Sequence, residues 1–211
     1  MLIHANSKLL FIGDSITDCG RERPFGEGGG LGNGYVSLVN ALLWAAQPEN
    51  PVRVVNVGTS GNTVRDLDER WQKDVLAQNP DWLAIMIGIN DVWRQFDGPL
   101  QKEWHVSLEE YATTLERLIQ NTRPSLMGLV LMTPFFIEPN KSDPMRAMMD
   151  EYGAVVKRLA TKYQAVFVDT QAAFDVVLQH SHAMGIAWDR VHPFLPGHMV
   201  IARAFVQAIE A

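Results

Sequence analysis

The chain has 211 residues, of which 47% are hydrophobic and 20% charged, enough apolar content to bury a core and too much for extensive disorder. Its formal net charge is -6 and no block of Lys or Arg interrupts that balance, which argues against a nucleic-acid partner. A single cysteine, Cys19, excludes an intrachain disulfide and a cluster of cysteine metal ligands, and it suits a reducing, cytoplasmic setting.

In chain order, the first apolar run is Leu9 to Ile12, too short for a membrane span and leading straight into a glycine turn, so neither a signal peptide nor a membrane anchor is expected. Strands are predicted at Leu9–Gly13, Val52–Gly58, Trp82–Gly88, Leu126–Met132 and Ala165–Asp169, each a short branched-residue run. Helical patterns fall between them at Tyr35–Ala46, Thr63–Val75, Val106–Thr122 and Met145–Lys162, and a last helix runs over Pro196–Ala211. Continuous apolar strands alternating with helices imply an α/β protein, a parallel sheet covered on both faces. Pro124 ends one helix and Asp143-Pro144 opens the next, as capping aspartate and first-turn proline. No long linker or repeat divides the chain, so one domain over residues 1–211 is expected.

Two stretches read as loops beyond strand ends: Arg21–Gly34, dense in glycine, and Asp91–His105, carrying Trp93, Phe96 and Trp104. Each is either a plain surface connection or a wall of a ligand site, since open α/β sheets bind at the carboxyl ends of their strands.

Four motifs follow strands or close the chain. Gly13-Asp14-Ser15 presents a hydroxyl after a glycine turn, which alone reads as a cap more readily than as a nucleophile. Gly61 in Gly58-Thr59-Ser60-Gly61-Asn62-Thr63 can bring a bare amide against a ligand, with Asn62 or Thr63 capping the next helix. In Gly88-Ile89-Asn90-Asp91 the Asn90 amide can donate to an oxyanion or merely stabilise a turn. In Asp189-Arg190-Val191-His192-Pro193, carboxylate and imidazole are spaced to meet across a tight turn, with the second ring nitrogen free for a nucleophile. The six histidines form no compact ligand set, so no metal or other cofactor is expected; His180 and His182 are the nearest approach to one. Cys19 reads as a packing residue rather than a second nucleophile.

In content and order these motifs resemble the SGNH, or GDSL-like, esterase and lipase superfamily over almost the whole chain. The resemblance implies Ser15 as nucleophile, His192 as base, Asp189 as its orienting partner, and an oxyanion hole made by the Ser15 and Gly61 amides with the Asn90 side chain. It also implies a three-layer α/β/α, flavodoxin-like fold with a five-stranded parallel sheet in the order 2-1-3-4-5. Phe11–Gly20, Ser60–Leu67, Ile85–Arg94 and Ala187–Pro193 look more narrowly like bacterial intracellular acetylxylan esterases. That subgroup implies acetylated xylo-oligosaccharides as substrates, Trp188 lining the site, and a homo-oligomer larger than a dimer. Asp14, Trp93 and Trp104 join Trp188 as expected substrate contacts. A broader short-chain esterase or thioesterase and an esterase of acylated lipids are the competing enzymatic readings, and a non-catalytic carbohydrate-binding module is the competing class.

Overall fold

A computed structural model of the chain describes residues 2–210. Its strands are β1 (Lys8–Gly13), β2 (Gly26–Glu27), β3 (Arg53–Asn56), β4 (Trp82–Met86), β5 (Gly128–Met132) and β6 (Val166–Val168). Its helices are α1 (Ser15–Asp18), α2 (Tyr35–Ala46), α3 (Val64–Asp74), α4 (Ile89–Asp97), α5 (Leu108–Thr122), α6 (Pro144–Tyr163), α7 (Thr170–Leu178) and α8 (Leu195–Glu210). The predicted last helix ends on Ala211, which lies outside the described residues.

The expected five-stranded, wholly parallel sheet is not what forms. One mixed six-stranded sheet runs β2-β3-β1-β4-β5-β6, and β2 joins its edge antiparallel, pairing Gly26 with Asn56 and Glu27 with Val55. The physical reason is length: two residues inside a glycine-rich segment carry no apolar alternation, so nothing marks them as a strand. The remaining pairings are parallel. Strands β4 and β5 are buried at every position and β1 at all but its first, as central strands covered on both faces must be.

Two helical regions also differ from expectation. The segment Asp91–His105 is largely ordered: its first part lies in α4 and Lys102–Trp104 forms a 3₁₀ turn. Helix α7 occupies a stretch for which no element was predicted, capped by Asp169, whose carboxylate accepts from the Ala172 amide. Where caps were anticipated they form: Asp143 accepts from the Met145 and Arg146 amides, each at 3.0 Å, with Pro144 at the first position of α6.

What matters for the site is adjacency. Because β3, β1 and β4 are neighbours running the same way, the segments leaving their carboxyl ends emerge side by side. These segments carry Gly61, Ser15 and Asn90.

Candidate active site

Ser15 stands two residues beyond β1, at the first position of α1. Gly13 must be glycine there, since a Cβ would lie 2.3 Å from the Met86 carbonyl oxygen and 2.4 Å from Thr17 Oγ1. Asp14 caps α1 by accepting from the Ile16 amide at 2.9 Å, which turns the chain so that the Ser15 side chain points outward to His192. The Ser15 Oγ lies 2.9 Å from His192 Nε2, and His192 Nδ1 lies 2.6 Å from Asp189 Oδ2. With Asp189 ionised, the proton sits on Nδ1 and donates to the carboxylate, which leaves Nε2 to accept from the Ser15 hydroxyl.

The Asp189–His192 turn is held from both sides. Asp189 Oδ1 accepts from the Val191 and His192 amides at 2.9 and 2.7 Å. Arg190, between them, takes a left-handed backbone with φ 63°, an uncommon conformation for a residue with a side chain. Its carbonyl accepts from the Ile137 amide, its guanidinium pairs with Glu138 and lies over the Phe136 ring, so the segment after β5 anchors the turn. Burial pulls the Asp189 carboxyl upward, but the bonds from the His192 ring and from the His192 and Val191 amides outweigh it and hold the group below its ordinary value.

Three donors belong to the segments leaving β1, β3 and β4. Among the described residues neither the Ser15 nor the Gly61 amide has an acceptor within the protein. Gly61 sits at φ 81°, which favours glycine, in an exposed turn. Asn90 is buried; its Nδ2 donates one hydrogen to the Asn62 carbonyl at 2.9 Å, and the second hydrogen of the amide is uncommitted. Thr63, rather than Asn62, caps α3, its amide and hydroxyl both donating to Asp66.

The expected substrate contacts separate. Trp93 packs edge-on to His192 with ring centroids 5.8 Å apart, and it lines a cleft of about 320 Å³ on the Asp189 side with Phe96 and Arg190. Trp104 borders a second cleft, of about 490 Å³, that reaches Gly61 and is otherwise polar, with Arg65, Glu69, Arg94 and Glu103. Trp188 is 73% exposed and lines a third cleft with Glu138, Met184 and Arg190 that contains none of Ser15, His192, Gly61 or Asn90. Asp14 is 1% exposed and its carboxylate is engaged in the cap, which leaves it little surface for a substrate. Burial pushes its carboxyl up to about 7, against the Ile16 amide and the nearby His192.

Cys19 Sγ lies 3.3 Å from His198 Nε2. Because the Tyr35 amide donates to His198 Nδ1, the neutral ring carries its proton on Nε2 and cannot take one from the thiol. Burial and the neighbouring Asp18 charge push the thiol up, so it stays protonated and unreactive. Among the described residues no group of three or more His, Cys, Asp or Glu gathers to hold a metal, and no helix is long and apolar enough to cross a membrane.

No motif points to Arg70, or to a role for the Asn62 side chain other than a cap, yet the two are bonded to each other beside the Gly61 turn. Only their placement marks them: Arg70 borders the inward stripe Val64, Leu67, Trp71 of α3, where a cation needs partners.

Residues 11–200 match the model of the GDSL-like Lipase/Acylhydrolase family, and the chain belongs to that family. Within it, the chain is 60% identical to the acetylxylan esterase of Geobacillus stearothermophilus over 99% of its own length and 96% of that protein's. A crystal structure of that esterase superposes with a TM-score of 0.99 at 59% identity, over 100% of this chain and 97% of the other. Structures of catalytic mutants of the same esterase, with a serine, a histidine or an aspartate changed to alanine, superpose with TM-scores of 0.98 to 0.99. An alpha/beta hydrolase enzyme from the metagenome of Lake Arreo, Spain, is 54% identical, with a TM-score of 0.97 over 100% of this chain and 98% of the other.

Proposed function

We propose that the chain is a serine esterase that removes acetyl groups from small carbohydrates, acetylated xylo-oligosaccharides foremost. One observation carries the reading: the Ser15–His192–Asp189 relay of hydrogen bonds, which is supported by amides of Ser15 and Gly61 without an acceptor among the described residues and a free hydrogen on Asn90 Nδ2. In the first step Ser15 Oγ attacks the ester carbonyl while its proton passes to His192 Nε2, and the tetrahedral oxyanion is held by the Ser15 and Gly61 amides and Asn90 Nδ2. Asp189 stays ionised and stabilises the imidazolium. As the carbonyl oxygen re-forms its double bond, the bond to the sugar oxygen breaks and His192 protonates the departing hydroxyl. Water then gives a proton to His192 and attacks the acetyl-enzyme carbonyl, and as that second tetrahedral intermediate collapses the bond to Ser15 Oγ breaks, His192 returns the proton to Oγ, and acetate leaves.

The sugar takes the polar cleft between Gly61 and Trp104, where a saccharide finds hydrogen-bonding side chains beside an exposed indole face. We further propose that the protein works as a single domain in the cytoplasm, as a homo-oligomer larger than a dimer. The lone cysteine supports the reducing compartment, and Trp188, Leu195 and Phe194, all exposed, support assembly.

The test is turnover of acetylated xylo-oligosaccharides and of a soluble ester series from acetyl to octanoyl, with inhibitor labelling of Ser15. Acetyl substrates should have the higher kcat/KM and the adduct should sit on Ser15. A preference for octanoyl esters rejects the acetyl assignment, and a fully active Ser15→Ala protein rejects the mechanism.

A further inference from the structure

One guanidinium bonds the backbone of two of the three segments that feed the oxyanion hole and reaches the third, which carries Asn90, through Asn62. Arg70, on α3, has a side chain only 15% exposed. Its Nη2 donates to the Gly13 carbonyl at 2.9 Å, two residues before Ser15. Its Nη1 donates to the Val57 carbonyl at 2.6 Å, on the segment running from β3 to Gly61, and to Asp74 at 2.8 Å. Its Nε donates to Asn62 Oδ1 at 2.6 Å, and the carbonyl of that same Asn62 accepts from Asn90 Nδ2 at 2.9 Å. The Gly13 carbonyl also accepts from the Thr59 amide at 3.0 Å, closing the link between the Ser15 and Gly61 segments.

From this geometry we infer that Arg70 is a positioning residue that sets the spacing of the three oxyanion donors: the Ser15 amide, the Gly61 amide and the Asn90 side chain. The inference rests on the esterase reading above. Asp74 alone would satisfy the charge, since an i,i+4 pair on one helix needs no further partner. The other three bonds go instead to two neighbouring strand exits and to the Gly61 turn. A planar fork suits that task, because its donors are fixed relative to one another, whereas a lysine ammonium has a single nitrogen on a flexible stem. Donors aimed at an oxyanion lose most of their effect when they drift, since their value lies in needing no reorganisation at the transition state.

The experiment uses the full chain with a chromogenic acetate ester, comparing Arg70→Met and Arg70→Lys with wild type, with and without Asn90→Ala. For folded Arg70→Met, kcat should fall about 10- to 100-fold with KM within about threefold, because transition-state contacts are lost and ground-state binding is kept. Arg70→Lys should recover part of that loss. In the Asn90→Ala background the Arg70→Met loss should shrink to a small part of its size alone, because residues acting on one group are not additive. A folded Arg70→Met protein with kcat within about twofold of wild type, or losses that multiply fully, overturns the inference and leaves the esterase reading standing. Wild-type kcat in Asn90→Ala would instead remove the oxyanion assignment itself. Should Arg70→Met not fold, Asn62→Ala deletes only the Nε partner and should lower kcat by about three- to tenfold, and unaltered kcat there overturns the inference equally.

Discussion

His192 offers Nε2 as an acceptor only while Asp189 keeps the proton on Nδ1. Asp189→Asn, which can donate to Nδ1, should drive the proton to Nε2 and cut kcat by about 10³- to 10⁴-fold in a folded protein; steady-state rates beside a thermal melt check this. A second residue-scale consequence concerns pH. Asp91 is buried with Oδ1 on the Val64 amide and Oδ2 without a partner among the described residues. Burial raises its carboxyl to about 7, against the pull of that amide. A raised acid contributes stability that is whole below its ordinary value of 3.8 and is lost as pH climbs through about 7. His198 acts oppositely: burial lowers it to about 4, so its contribution is whole above 6.5 and fades as pH falls toward 4. Asp91→Asn keeps the Oδ1 acceptor and removes the titration, so its Tm should decline less than that of wild type between about pH 4 and pH 8. Parallel Tm–pH curves for the two proteins would show that Asp91 ionises normally.

At the scale of elements, the 98–105 segment shows how an exposed indole is held still. Arg65 of α3 donates to the Glu103 and His105 carbonyls at 2.8 and 2.9 Å, and His105 Nε2 lies 2.9 Å from the Gly98 carbonyl oxygen, so the backbone under Trp104 is tied at both ends. Trp104→Ala should therefore raise KM for acetylated xylo-oligosaccharides about three- to tenfold and leave hydrolysis of a small acetate ester unaltered. Equal losses on both substrates would place Trp104 outside the sugar cleft. This segment also marks the limit of what the sequence made legible. Ser15, Gly61, Asn90, Asp189 and His192 sit in short motifs whose joint content and order carry the family resemblance, and it is that resemblance, not the spacing of any one motif, that points to their roles. Aromatics among polar residues mask α4, because Trp93 and Phe96 do not fall on a wholly buried stripe. Helix α7 is hard to see in the sequence because its adjacent β-branched valines weaken the helical signal and favour strand. The Arg70 links escaped for another reason: Gly13 and Arg70 are 57 positions apart, and no local pattern reports a contact at that separation.

At the scale of the whole molecule, large apolar side chains remain uncovered in a single copy, among them Leu100 at 87% exposure, Leu195 at 61% and Val176 at 60%. Sedimentation at micromolar concentration should give a species larger than a dimer, and a monomer across that range would leave these side chains as ordinary surface. The form such an assembly takes is narrowed by β2. It covers the outer side of Val55 and Asn56, while the adjoining Arg53 is bound by Glu27 through two nitrogen–oxygen contacts of 3.0 and 2.7 Å. The opposite border is β6, only three residues long. A ladder needs a run of unpaired amides and carbonyls as a template, and neither border presents a long one. Copies of this chain are therefore steered to meet through side-chain surfaces rather than by extending one another's sheet, and the same two short borders protect the folded protein against fibril-like stacking.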